Sequence, residues 1–121
     1  MDKCVSFDFE RLQVYQKALD FIDKVFRIEK DLPKEYRYSL GANLIRAGLS
    51  ISNNLAEGNG KKSRKEKIRY FSVSLGSCRE CISVFNVLGR QKLILDDKYN
   101  ELRSDAKEIT SMICGLISSQ A

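Results

Sequence analysis

LGANLIRAGLSISNNLAEGNGKKS, residues 40–63, decides the fold of this chain. Leu40, Leu44, Ala47, Ile51 and Leu55 recur at the spacing of one helix face, and Gly41, Ile45, Gly48, Ser52 and Ala56 form a second stripe of mostly small residues beside them. A helix with two such stripes is covered on two sides. The pattern ends on Asn54-Leu55-Ala56-Glu57-Gly58 and breaks into a basic turn, where Gly58 is expected to terminate the helix in a left-handed conformation.

Reading outward, the helix before it is expected over about residues 10–30, with Leu12, Tyr15, Ala18, Leu19, Ile22, Val25 and Phe26 inward. Leu32-Pro33 stops it, because proline disfavours helix in the residue before it. The central helix then spans about 39–57. Ser63-Arg64-Lys65-Glu66 has the form of a capping box and opens a long helix over about 63–91. Its two apolar lines are Ile68, Phe71, Leu75, Cys78, Ile82, Phe85 and Tyr70, Val73, Ser77, Cys81, Val84, Leu88. Asp96-Asp97 suits the positive end of a helix dipole and opens a last helix over about 97–118, with Tyr99, Leu102, Ala106, Ile109, Ile113 and Leu116 inward. The expected fold is all-α, a single four-helix-bundle domain over 1–121, antiparallel and up-down-up-down because short turns join the helices. The central two helices carry more apolar surface than a monomer needs, so a homo-oligomer is expected.

Composition removes most enzymology. There is no histidine among 121 residues, which eliminates histidine-activated nucleophiles and the commonest metal ligand. The four cysteines are Cys4, Cys78, Cys81 and Cys114. Cys78 and Cys81 form a C-x-x-C, but they fall inside a helical apolar pattern with no second pair, so free thiols packing as small hydrophobes are expected. No cofactor or metal site is read from the chain, and the expectation is a protein that is not an enzyme. No apolar run reaches the ~18 residues of a membrane span, and the N-terminus lacks a signal-peptide layout, so a cytoplasmic location without membrane attachment is expected.

Charge is concentrated. Residues 60–92 hold nine basic and two acidic side chains, against nine and nine before them and three and five after them. Lys61, Lys62, Arg64, Lys65, Lys67 and Arg69 crowd the head of the third helix with only Glu66 against them. Two readings stand here, a solvated helix face and a phosphate-binding surface; cations there oppose the helix dipole, so local stability does not select them, whereas a polyanion would be held by them through its phosphates. Tyr70 is the single aromatic nearby in sequence, which favours backbone contact over base stacking. Gly58-Asn59-Gly60-Lys61-Lys62-Ser63 is not a phosphate-binding P-loop, because one residue separates its glycines and a helix precedes it. Arg46, Asn54, Glu57 and Glu80 are polar positions on packing helices; hydrogen-bonded roles fixing helix register or bridging subunits are expected of them in preference to acid–base chemistry.

From Phe9-Glu10-x-Leu12 to the last helix the chain resembles the four-helix-bundle family of the 23S rRNA intervening sequence. The family's S-I-P-S-N-I-A-E-G and G-R-x-S appear as Ser50-Ile51-Ser52-Asn53-Asn54-Leu55-Ala56-Glu57-Gly58 and Gly60-Lys61-x-Ser63. Its G-S-x-x-E appears as Gly76-Ser77-Cys78-Arg79-Glu80. L-x-x-Q-x-R-R-A is matched less well by Leu40-x-x-Asn43-Leu44-Ile45-Arg46-Ala47, and the chain departs from the family at Ile45, Ser52 and Asn53. The resemblance implies a homopentamer and an RNA or DNA partner. It also implies an alternative, an adaptor or accessory subunit of a nucleic-acid-processing protein such as a reverse transcriptase.

Overall fold

A computed structural model describes residues 6–120, so Cys4 lies outside the described residues. Four long helices make up the structure: α1 (Gln13–Asp31), α2 (Ala42–Asn59), α3 (Arg64–Arg90) and α4 (Asp96–Ser118). A four-residue 3-10 turn, Asp8–Arg11, precedes α1. It replaces the first residues of the expected helix because the Glu10 carboxylate accepts the Phe7 amide at 2.7 Å and closes the turn on itself. Among the described residues there is no strand, and no helix is long and apolar enough to cross a membrane.

One core unites the four helices. Val14, Ala18, Phe21 and Val25 of α1 meet Leu44, Ala47, Ile51 and Leu55 of α2, Phe71, Cys78, Cys81, Phe85 and Leu88 of α3, and Leu102, Ala106, Ile109 and Ile113 of α4. The inward stripe of α1 keeps the expected Ala18, Ile22 and Val25 but is turned toward Phe21. Phe21 is buried and meets Phe85 edge-on at 5.9 Å, whereas Tyr15 and Leu19 sit on the shoulder and Phe26 is exposed. Val73 is likewise exposed, and Ser74 takes the inward place beside it. Buried hydroxyls at this seam need acceptors: Ser74 Oγ donates to the Ile51 carbonyl at 2.8 Å, and Ser77 Oγ donates to Ser50 Oγ at 2.7 Å.

The connection after Pro33 is more helical than expected. A single turn, Lys34–Tyr36, passes into a π-helical turn, Arg37–Gly41, that leads directly into α2. Arg37 reaches back to α1 and grips Glu29 through two bonds of 2.8 and 3.1 Å. That guanidinium holds the Glu29 carboxyl below its ordinary pKa.

Gly58 corrects a second expectation. The described glycines have no positive φ, and α2 continues through Gly58 to Asn59. Gly58 is required for proximity, since a Cβ there would lie 2.7 Å from Phe71 Cε1 and 2.9 Å from Phe71 Cδ1. Among the described residues the left-handed one is Lys92, at φ 61°, past the end of α3. Leu93 N–H donates to the Leu88 carbonyl and Lys92 N–H to the Gly89 carbonyl, the pair of bonds that closes a Schellman motif.

The first and last helices are joined by ion pairs. Lys17 meets Glu108 at 2.8 Å, and Lys24 meets Glu101 at 2.8 Å and Asp105 at 2.6 Å.

Candidate nucleic-acid interface

The head of α3 is built from Ser63 outward. Ser63 has extended backbone, and its Oγ accepts the Glu66 N–H at 3.0 Å, which satisfies one of the helix's unpaired donors. Glu66 does not return the bond. Its carboxylate takes the Arg69 guanidinium at 3.3 and 3.1 Å and is held below its ordinary pKa by it. The expected capping box is thus half formed, because the stronger charge-assisted partner lies one turn along the same helix.

The six basic side chains divide by what they touch. Arg69, besides gripping Glu66, lies over the Tyr70 ring at 4.4 Å. Lys61 approaches the same ring at 5.1 Å and Glu57 at 3.8 Å. Lys67 Nζ donates to the Asn59 carbonyl at 2.9 Å and so caps the C-terminus of α2. Lys62, Arg64 and Lys65 are exposed and form no ion pair or side-chain hydrogen bond among the described residues. Three cations therefore serve the corner between α2 and α3, and three project from it at the positive end of a helix dipole.

Arg46, Asn54, Glu57 and Glu80 do not converge. Arg46 bridges α2 to α3 through Glu80 at 3.3 Å and also donates to Asn43 Oδ1 at 2.6 Å. Asn54 Nδ2 turns back on its own helix, donating to the Ser50 carbonyl at 2.8 Å and to Ser50 Oγ at 3.0 Å. It thereby orients the hydroxyl that receives Ser77 across the seam. Glu57 stands at the basic corner beside Lys61.

Cys78 and Cys81 are both buried, and burial pushes each thiol up to about 12, far from the reactive range. Among the described residues no group of three Cys, Asp or Glu side chains could hold a metal ion.

Two further surfaces take shape only in three dimensions. The first is the turn before α1, which the fold carries to the basic corner: Asn59 Nδ2 donates to Asp8 Oδ2 at 2.9 Å. This brings Phe7 and Phe9 to the same end of the bundle as Lys62. The second is a groove of about 730 Å³ along the outer face of α2, lined by Tyr38, Ile45, Arg46, Leu49 and Asn53 among others. Tyr38 is 86% exposed there and Leu49 41%. Ile45 and Leu49 share the helical period of the second α2 stripe and its flank, which was the available signal.

The family model for the 23S rRNA-intervening sequence protein matches residues 10–115. Among solved structures, a protein of unknown function from the S23 ribosomal protein family of Bacteroides thetaiotaomicron superposes with a TM-score of 0.81. It is 24% identical, over 86% of this chain and 97% of that one, and the likeness shows a shared fold. No curated protein matches this chain.

Proposed function

The chain belongs to the 23S rRNA-intervening sequence protein family, and from that premise we propose that it is a non-enzymatic, homo-oligomeric helical bundle that binds nucleic acid, RNA in the first place, through the basic corner. The observation that carries this reading is the division of the cations. Lys61, Lys67 and Arg69 have internal partners, whereas Lys62, Arg64 and Lys65 make no ion pair or side-chain hydrogen bond among the described residues and stand where helix stability disfavours them. Phosphate contact gives such residues a role: each releases condensed counterions and adds affinity without reading sequence.

The bundle is proposed as one antiparallel, up-down-up-down domain acting in the cytoplasm. Supporting the antiparallel order, partners across α2 and α3 run in opposite directions, Arg46 with Glu80, Ser50 with Ser77 and Ile51 with Ser74. The groove along α2, with Tyr38 and Leu49 exposed, supports self-association, and the family resemblance supplies the pentamer. The same apolar groove favours a second reading, an adaptor that engages another protein.

Fluorescence anisotropy of a labelled RNA at rising salt tests the first reading. Three phosphates neutralised per protomer give a slope of log affinity on log salt of about −2 to −3. Replacing Lys62, Arg64 and Lys65 together by glutamine is expected to abolish most of that slope without lowering the melting temperature, and to raise it slightly by relieving the helix dipole. Binding that is insensitive to salt, or to the triple substitution, would refute it. For assembly, Leu49→Glu is expected to lower the mass measured by light scattering, and an unchanged mass would remove the groove from the interface.

A further inference from the structure

Phe7 is 59% exposed, yet it is not loose. Its amide is held by the Glu10 carboxylate at 2.7 Å, and its carbonyl accepts the Glu10 N–H at 3.1 Å. Its ring stacks on Phe9 at 5.9 Å with an interplanar angle of 17°, and Phe9 is braced edge-on by Tyr15 at 5.0 Å. An aromatic ring supported by another and fixed at its backbone, while more than half open to solvent, offers a flat apolar surface whose ordering cost is already met.

The position of this ring joins it to the basic corner. Asp8, the next residue, accepts from Asn59, and Asn59 in turn accepts from Lys67. Asn59 and Lys62 are three residue steps apart along the chain, spanning at most roughly 11 Å. Other aromatic rings do not compete. Tyr70 is covered by Arg69 and flanked by Lys61. Tyr38 is more exposed but lies beyond the opposite end of α2, roughly 30 Å away at the rise of a helix. The carboxylates of Asp8 and Glu10 keep phosphates off the turn itself, so a strand crossing this corner would place its backbone on the cations and a base on the ring.

We infer that Phe7 is a stacking platform for an unpaired base of a strand whose phosphates lie along Lys62, Arg64 and Lys65, which makes single-stranded nucleic acid the substrate class in preference to continuous duplex. The inference rests on the nucleic-acid reading above and narrows it. Stacking is available to any base, so the site tolerates sequence, but it requires a base free of its neighbours.

The chain contains no tryptophan, so Phe7→Trp installs a unique reporter. Titrated with a short oligouridylate, its fluorescence is expected to be quenched as the base stacks, whereas a blunt RNA duplex of equal length leaves it unchanged. Phe7→Ala is expected to weaken oligouridylate binding by about 5- to 150-fold and duplex binding not at all. Wild-type binding with a steep salt dependence that Phe7→Ala leaves intact would overturn the stacking platform and spare the phosphate contacts. Failure of the wild type to bind either probe would overturn the underlying reading. Equal weakening for both probes, or a changed mass in light scattering, would make Phe7 a packing residue and also overturn the inference.

Discussion

Gly58→Ala separates two explanations of a glycine that look alike in sequence. Within a helix, alanine is favoured over glycine by about 0.5–1 kcal/mol, chiefly through the entropy of the unfolded chain. At Gly58 that gain meets an obstacle. The added methyl would lie 2.7 and 2.9 Å from two ring carbons of Phe71 and 3.0 Å from Tyr70 Cβ. Phe71 is 1% exposed and has no solvent to retreat into. Forcing an extra carbon into a packed core costs typically about 1–3 kcal/mol, so the net destabilisation is about 1–2 kcal/mol. For a chain of this size that lowers the melting temperature by roughly 3–8 °C. Gly76 is the control, because nothing lies within 4 Å of the Cβ it lacks. Gly76→Ala is expected to raise the midpoint by roughly 2–4 °C. Circular dichroism melts of both variants, with light scattering at each protein concentration, make the comparison. In a Phe71→Leu background Gly58→Ala should cost less, since the ring that resists it is gone. A Gly58→Ala variant as stable as Gly76→Ala would refute the close-approach argument.

The buried thiols predict an alkaline limit. An unfolded cysteine ionises near 8.5–9, while Cys78 and Cys81 are held protonated up to about 12, so their contribution is complete below pH 8 and is lost as pH rises through that window. Urea denaturation should show roughly 2 kcal/mol lost between pH 9 and 10 on their account, a component absent from Cys78→Ala/Cys81→Ala; identical slopes for both proteins would refute it. Lys92 holds a left-handed conformation that costs a side-chain-bearing residue about 1–2 kcal/mol, partly offset for glycine by its looser unfolded state. Lys92→Gly should raise the melting midpoint by roughly 2–4 °C, and a lower midpoint would show that the lysine makes a compensating contact.

The fold was legible where apolar periodicity and punctuation agree. Leu44, Ala47, Ile51 and Leu55 are buried as their spacing requires, and Ser63 caps α3. The centre of the α1 stripe, Ala18, Ile22 and Val25, was legible, but its flanks were not, because Tyr15, Leu19 and Phe26 compete with Phe21 and only the neighbouring helices decide which of them face inward. Periodicity likewise says that Gly58 is special without saying whether a dihedral angle or a neighbour demands it. The end of α3 falls at Arg90, within a residue of the expected bound, but its left-handed residue was not legible: lysine is a poor signal for that conformation, and the stronger sign was the Leu88–Leu93 spacing. At the candidate site, the run of cations was visible from residues 61–69, but their division was not. Which lysine caps a helix and which stands unpaired depends on Asn59, Glu57 and Tyr70 in three dimensions. Phe7 had no local signal at all, since Asn59 reaches its turn across 51 positions.

The ion pairs between α1 and α4 bear on the order in which the chain folds. Contacts across the α2–α3 seam close loops of 23 to 34 residues, whereas Lys24 reaches Asp105 across 81. Closing the longer loop first costs about 1 kcal/mol more in chain entropy, so the middle pair of helices is expected to form the nucleus and the outer pair to dock on it. The Lys24 clasp then belongs to the late side of the barrier: removing its charge should hasten unfolding and leave refolding nearly unchanged, as stopped-flow kinetics would read. In that order the clasp governs how long the folded bundle lasts, and the α2–α3 seam governs how quickly it is made.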